Sequence, residues 1–311
     1  MTEATREISS WSDRAKSVAG SRLQPLLEFL RRSDLVDLVS LFSLFMVLVF
    51  PFAHWLFQIT VDLCLLFFLV QPKAIRSSWF WFVLAVAASF VVIQDWHAVD
   101  NHKYLLLYWL WILFLCRAVA EPQWQRRALL FNARFFLCFV FLASAGQKLA
   151  SPTYRSGEMF EYYLYADSRF TAFDKLIGID PSVPDAVQKR IALFRSPYSK
   201  PLNDELELPG NDRARAAGLI LTWWDALLQL LIGLLLLFRF NATEKLGHIL
   251  LLLFIFTTYL PAPIFGFGWI LAIMGLTLAK EKFPRIAVAY MVSFVAVIVY
   301  QVPWREWVLG R

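Results

Sequence analysis

Three ionisable residues of this sequence lie in or beside strongly apolar stretches, and their types could support acid–base chemistry. They are His102, Lys148 and Asp225. A charged side chain inside lipid is penalised by about 2.5 to 3.5 kcal/mol on insertion scales, so each one needs a partner or a function. A lysine held against packed helices loses hydration and can act as a base near neutral pH. With a histidine beside it, the pair would supply a proton acceptor and a positive site for an oxyanion.

Each of these residues also has a purely structural interpretation. Lys148 could be a terminal lysine whose amine reaches the lipid headgroups, and His102, like His97, could be an ordinary histidine of a wet loop. Asp225 could pair with Lys148, hold His102 in one tautomer, or form an ion pair that only fastens two helices. Gln229 lies one turn further along on the same face as Asp225.

Further polar residues in apolar surroundings complete the set that needs an explanation. Arg134 lies about four turns before Lys148 on nearly the same helix face, and we expect it to snorkel inward or to neutralise Asp62. His248 is expected near the inner end of its segment, away from the other candidates. A polar cluster precedes one apolar segment and consists of Asp95, His97, Asp100, Asn101 and His102.

The composition indicates that these residues belong to an integral membrane protein. Of the 311 residues, 59% are hydrophobic and 17% are charged, and the mean hydropathy is +0.55. A soluble domain of this size could not bury so much apolar surface, so we predict an all-α, polytopic helix bundle. The net charge of +6 is spread over the ends of apolar segments, which argues against nucleic-acid binding. Cys64, Cys116 and Cys138 lie in apolar runs without metal-site or redox spacing, and we interpret them as buried thiols.

Nine apolar segments are long enough, with aromatic ends, to be candidate membrane spans. Breaks at Pro51–His54 and Pro261–Pro263 could instead be kinks, so the prediction is eight or nine spans. The candidates are Leu35–Phe52, Trp55–Val70, Trp79–Gln94, Lys103–Ala120, Ala128–Leu149, Ala216–Phe238, Leu246–Leu260, Ile264–Leu278 and Ile286–Gln301.

The distribution of lysine and arginine predicts the orientation of these spans. With the N-terminus in the cytoplasm, the short inner connections are rich in both residues and the short outer ones hold only Lys103. Residues 1–33 would form a cytoplasmic segment, with an amphipathic helix over Trp11–Arg32, and residues 34–303 the bundle. Residues 150–215 would be an external loop made irregular by its prolines, and residues 304–311 a tail. The expected location is the cytoplasmic (inner) membrane of a bacterium.

This topology predicts where the candidate site lies. The start of the fourth span and the end of the fifth fall at the same external depth, so His102 and Lys148 can share one pocket. The small residues Ala143–Gly146 would let another helix backbone approach closely. Asn101 and Asp225 are further candidate catalytic residues, and the candidate cofactor-binding residues are Tyr104, Gly146, Trp223 and Trp224.

Two motifs of the sequence resemble a known family. The run Phe141–Leu149, followed by Tyr154 and Gly157, resembles the Ala-Gly-x-Lys-Leu signature of the horizontally transferred transmembrane (HTTM) domain, which includes the vitamin K-dependent γ-carboxylases. Asp100–Leu105 is similar to the Asn-His-x-Tyr-Leu motif of that family. The resemblance covers roughly Leu35–Lys282.

The resemblance implies a fold, a chemistry and a cofactor. In the family the matching lysine deprotonates a hydroquinone, so Lys148 would be the base, Asn101 and His102 its partners, and a vitamin K-like quinol the cofactor. The sequence departs from the family at Tyr154, where a tryptophan is usual, and at Thr257–Pro261, where the family has a histidine. It also lacks a large lumenal region, so carboxylation of a protein substrate is not expected.

Three functions remain open on the sequence alone. The first is an enzyme that acts on a quinol or another lipid-soluble substrate, with Lys148 as general base. The second is a non-catalytic membrane scaffold or assembly partner that holds another protein through Ser151–Arg215. The third is a transporter with Lys148 and Asp225 as a gated pair, which the lack of an internal repeat disfavours.

Overall fold

The computed structural model describes residues 24–50, 54–94, 96, 100–195, 211–259, 264 and 266–302. These ranges contain helices and no strand, which confirms the all-α prediction. Four predicted features lie outside the described residues: the first part of the amphipathic helix, both proline breaks, Asp95 with His97, and the C-terminal tail.

The helices are numbered here in chain order. They are α1 (residues 24–32), α2 (Leu35–Val49), α3 (Trp55–Val70), α4 (Ser78–Gln94), α5 (Asn101–Ala118), α6 (Pro122–Ala150), α7 (Pro152–Arg155), α8 (Glu158–Ala166), α9 (Thr171–Leu176), α10 (Ser182–Arg195), α11 (Asp212–Leu237), α12 (Asn241–Tyr259), α13 (Phe267–Ala279) and α14 (Pro284–Gln301). Short 3₁₀ turns cover Pro72–Arg76 and Ser168–Phe170.

Three helices of the described chain are long and apolar enough to cross a membrane, namely α6, α11 and α14. Helices α2, α3, α4 and α13 are apolar but shorter. Each of the nine predicted spans corresponds to a helix of the structure, α5 and α12 included. The positions of the predicted helices are therefore confirmed. By length and composition, however, the described helices support about three membrane spans and not the eight or nine predicted.

Side chains at the helix starts explain why several helices begin where they do. The carboxylate of Asp34 accepts hydrogen bonds from the backbone N–H groups of Val36 and Asp37, at 2.8 and 3.0 Å, and so caps α2. The amide oxygen of Asn211 caps α11 in the same way. Such caps satisfy backbone donors that have no partner inside the first turn.

The chain divides into two compact units. The first consists of Met1–Asn132 and Ala272–Phe294. In it the carboxylate of Asp37 on α2 accepts hydrogen bonds from Arg76, at 2.6 Å, and from Arg117, at 2.7 Å. Buried Trp109 donates from its indole N–H to the Ser43 hydroxyl at 2.9 Å. Polar contacts therefore connect α2 to α5 and to the 3₁₀ turn.

The second unit consists of Ala133–Leu271 and Val295–Arg311. Helix α11 contacts α12, α8 and α7, and α8 also contacts α10. Over residues 151–195, the region predicted as an irregular loop is mostly helical, and Pro152 and Pro184 lie in first turns, where a missing N–H costs no hydrogen bond. These short helices surround a hydrophobic cluster of their own, formed by Leu164, Tyr165, Phe170, Ile179, Val187 and Ala214.

Candidate functional site

Lys148, Asp225 and Gln229 form a closed hydrogen-bonded triangle in the second unit. The Lys148 amine donates to Oδ2 of Asp225 and, at 3.0 Å, to Oε1 of Gln229. Gln229 Nε2 donates to Oδ1 of Asp225 at 3.0 Å, so each member contacts the other two. The pairing of Asp225 with Lys148 was one of the three arrangements predicted for this aspartate.

The helix geometry explains why these three groups meet. Lys148 lies in the last turn of α6, and Asp225 and Gln229 lie one turn apart on one face of α11. The side chains of Lys148 and Asp225 are each 13% exposed. The triangle is therefore largely removed from water.

Thr222 adds a hydroxyl on the same face of α11, one turn before Asp225. The side chain is buried, and its Oγ1 has no hydrogen-bond partner among the described residues. A buried hydroxyl without a partner is unfavourable by about 1 to 3 kcal/mol. It is a polar atom that a bound ligand could satisfy.

Two tyrosines from the region between α6 and α11 lie close to this site. The hydroxyls of Tyr154 and Tyr163 share a hydrogen bond, and Tyr154 is near enough to Asp225 to feel its charge. Burial, the neighbouring Tyr163 and the Asp225 carboxylate together raise the pKa of Tyr154 to about 12. Tyr154 therefore stays a neutral phenol in the physiological range, able to donate or accept one hydrogen bond.

Asn101 and His102 open α5 in the first unit. The His102 side chain is 13% exposed, its Nε2 lies 4.0 Å from the Asp100 carboxylate, and its ring centre lies 5.9 Å from that of Phe50. Asn101 is exposed. His102 and Lys148 belong to different units, and the pocket predicted to unite them stays a prediction.

The residues proposed to bind a cofactor have varied surroundings. The Tyr104 hydroxyl donates to the backbone carbonyl of Trp96 at 2.8 Å, which gives it a structural partner. Trp223 and Trp224 are 38% and 45% exposed on α11, as expected for aromatic rings at an interface.

Gly146, one of the four small residues Ala143–Gly146 predicted to allow a close helix approach, does not mediate one, whereas Ala145 of the same run is fully buried. Gly146 is exposed, and a Cβ atom added there would meet no atom within 4 Å. The close approach lies about one turn earlier, where a Cβ on Gly233 of α11 would lie 2.7 Å from the Leu142 side chain of α6. Gly233 of α11 thus permits close packing at this level.

Arg134 pairs with Glu244, and the prediction that it neutralises Asp62 is wrong. Its guanidinium binds the fully buried Glu244 carboxylate of α12 and donates to the Leu236 carbonyl at 2.6 Å. That carbonyl belongs to the last turn of α11, where carbonyl groups lack helical partners. Asp62 accepts instead from Gln58 Nε2, one turn away on α3, at 3.1 Å.

Sequence reasoning overlooked Glu244 altogether. A signal existed, because Glu244 is a lone acid in the first turn of a helix that contains a predicted span, and it lies at the same predicted inner depth as Arg134. The burial of Glu244 gives Arg134 a structural role, because the guanidinium supplies a positive charge to a carboxylate that water does not reach.

The remaining chemical groups offer no metal centre. Within the described ranges, no three His, Cys, Asp or Glu side chains are arranged to hold a metal ion. Cys64, Cys116 and Cys138 are free and buried, as predicted.

Comparison with known proteins found no matching family model, no matching curated protein and no matching solved structure. The structure by itself therefore defines the class: an all-helical protein with membrane-length apolar helices and a partly buried lysine–aspartate pair. The likeness to the HTTM family remains a prediction based on the two motifs.

Proposed function

We propose that this protein is a membrane enzyme of the HTTM type that acts on a quinol or a similar lipid-soluble phenol. It would cross a bacterial inner membrane eight or nine times, with its N-terminus in the cytoplasm. The observation that supports the proposal best is the triangle of Lys148, Asp225 and Gln229, which holds an amine beside a carboxylate in a largely dry site.

The triangle has the groups that proton abstraction from a phenol requires. In this proposal the Lys148 ammonium would pass its proton to the Asp225 carboxylate, with which it shares a hydrogen bond, and would become a neutral amine. Such an amine can accept the proton of a phenolic O–H group. Gln229 would keep both partners in place during the transfer, because its amide contacts the amine and the carboxylate at 3.0 Å each.

A phenolic ligand also suits the surroundings of the triangle. The unpaired Thr222 hydroxyl can bond to a ligand oxygen, and Tyr154 lies near the Asp225 carboxylate. When bound, the quinol would supply the reducing electrons for a reaction with dioxygen. The resemblance also implies a role for Asn101 and His102 in this chemistry.

Turnover of the Lys148→Met variant tests the proposal. The purified protein in lipid nanodiscs would be given a reduced naphthoquinol, and dioxygen uptake and quinol loss would be followed. We expect the variant to be at least about 100-fold slower, the usual loss when a general base is removed. Lys175→Met, which removes an exposed lysine of α9, is the matched control and should keep its activity. Equal rates in the two variants would reject Lys148 as the base.

A scaffold function is the second candidate, and the region between α6 and α11 favours it. The short helices α8 to α10 surround their own hydrophobic cluster, so this region can present a defined surface to a protein partner. Replacement of residues 168–195 by a flexible linker should then abolish cross-linking to a partner in native membranes. The Lys148→Met variant should still be cross-linked to the partner. The opposite pattern would exclude the scaffold function.

A further inference from the structure

A charged groove of about 540 Å³ opens in the second unit, separate from the Lys148–Asp225 pair. Three carboxylates, a guanidinium and an aromatic ring line it: Glu158, Glu161, Asp212, Arg215 and Tyr162. Its volume falls within the range of about 300 to 1,000 Å³ that is typical of small-molecule sites.

Two glycines determine how closely the walls of the groove approach one another. A Cβ on Gly218 of α11 would lie 2.7 Å from the Gly157 carbonyl oxygen and 2.9 Å from the Glu161 backbone nitrogen. Gly157 has a φ of 85°, and a Cβ there would lie 2.7 Å from the Leu219 nitrogen. Helix α8 therefore rests directly on the backbone of α11, which brings Glu161 to the wall where Arg215 lies.

Glu161 is the most deeply buried acid of this groove. It is only 9% exposed and lines the cavity beside Arg215. Burial raises the pKa of Glu161, Arg215 acts to lower it, and Glu158 raises it further. A largely buried carboxylate has little access to water, so a hydrogen-bond donor brought by a ligand would stabilise its charged form.

The residues that line the groove indicate which kind of hydrogen-bond donor a ligand would bring. Three carboxylates face one guanidinium, so the groove favours a cation. The acids of this part of the chain do not form a metal-binding trio. A primary ammonium offers three N–H donors, whereas a quaternary ammonium offers none. Arg215 would attract an anionic group next to that cation.

We propose that this groove binds a zwitterion whose primary ammonium meets Glu161 and whose anionic group meets Arg215. A phosphoethanolamine unit has this chemistry, either as the headgroup of a membrane lipid or as a free molecule. The proposal is independent of the quinol enzyme, because Lys148 and Asp225 take no part in it.

Calorimetric titration of the purified full chain with soluble phosphoethanolamine tests this site. We expect binding to the wild type and at least a tenfold loss of affinity in Glu161→Gln, which keeps the shape but removes the charge. Asp185→Asn, which changes an exposed acid of α10, removes the same charge elsewhere and should bind like the wild type. Phosphocholine has the same phosphate without N–H donors, and should bind at least tenfold more weakly.

Further measurements distinguish a lipid headgroup from a free molecule as the source of the ligand, and separate this site from the proposed enzyme. If the ligand is a lipid headgroup, native mass spectrometry of the protein from mixed nanodiscs should show that it retains phosphatidylethanolamine in preference to phosphatidylcholine. The Glu161→Gln variant should lose this preference. Arg215→Gln should weaken phosphoethanolamine but leave ethanolamine unchanged. Lys148→Met should bind like the wild type, which separates this site from the proposed enzyme. The proposal is overturned if neither form of the ligand binds, or if Glu161→Gln binds as the wild type does.

Discussion

Separate and joint removal of the charges of Lys148 and Asp225 should give very different stabilities. Lys148→Met leaves a carboxylate without its cation, and Asp225→Asn leaves an ammonium without its anion. Breaking a fully buried pair in this way is destabilising by about 3 to 5 kcal/mol. Both side chains are 13% exposed and Gln229 remains as a partner. We therefore expect about 2 to 3 kcal/mol for each single change.

The double variant should recover most of that loss. With both charges absent, no uncompensated ion remains, and the amide that Asp225→Asn introduces can still bond to Gln229, so the cost should fall to about 1 kcal/mol. For a domain of about 150 to 250 residues, 1 kcal/mol corresponds to roughly 2 to 4 °C in Tm. Each single variant should therefore melt roughly 5 to 10 °C lower, and the double variant within about 4 °C of the wild type.

Thermal unfolding of the four proteins in one detergent, followed by tryptophan fluorescence, measures these shifts. A double variant whose loss of Tm equals the sum of the two single losses would show that the two groups do not interact. The structural reasoning would then be refuted, and with it the proton transfer proposed between them. Circular dichroism before heating would verify that all four proteins start with the same helix content.

Three further predictions concern other parts of the second unit. Gly218→Ala should lower Tm by several degrees, since its methyl group would lie 2.7 Å from the Gly157 carbonyl oxygen. Gly146→Ala should not lower Tm, because its methyl group meets open space and alanine favours a helix more than glycine does. Arg134→Met should be destabilising by about 3 to 5 kcal/mol, because it leaves the buried Glu244 carboxylate without the guanidinium that neutralises it. The double variant Arg134→Met with Glu244→Gln should recover much of the lost stability. Burial raises the pKa of Asp174 from 3.8 to about 6, so folding favours the protonated carboxyl, and this contribution to stability is lost as the pH rises from about 4 to 6. Asp174→Asn should therefore remove that part of the pH dependence and raise Tm at about pH 7.5, as a melting series across pH would show.

The positions of the long helices were predictable from the sequence because runs of apolar residues determine them. All nine predicted spans correspond to helices, and the predicted start of Trp55–Val70 and its end agree with the structure. The region between α6 and α11 was harder, because its helices are short and amphipathic. Its prolines suggested irregular structure, yet Pro152 and Pro184 begin helices instead of breaking them.

Within one helix the spacing of the candidate site was predictable, whereas the contact between Lys148 and Asp225 was predictable only as one of several alternatives. The four-residue interval places Asp225 and Gln229 on one face of α11, and both contact Lys148 in the structure. Pairing between helices depends on how each helix is rotated, which hydropathy does not specify. For that reason the partner of Arg134 was missed, and Gly146, one of the four small residues expected to allow close approach, meets open space while Gly233 meets Leu142.

Helix α8, nine residues long, has adjacent tyrosines with different tasks. Tyr162 lines the charged groove, and Tyr163 shares a hydrogen bond with Tyr154 beside the Asp225 carboxylate. Gly157 at the start of α8 and Gly218 of α11 bring the two backbones into direct contact, so one short helix carries both tyrosines. Any change that one occupant makes in the affinity for the other must be reciprocated by the same factor. Titration of one ligand at several concentrations of the other measures that factor.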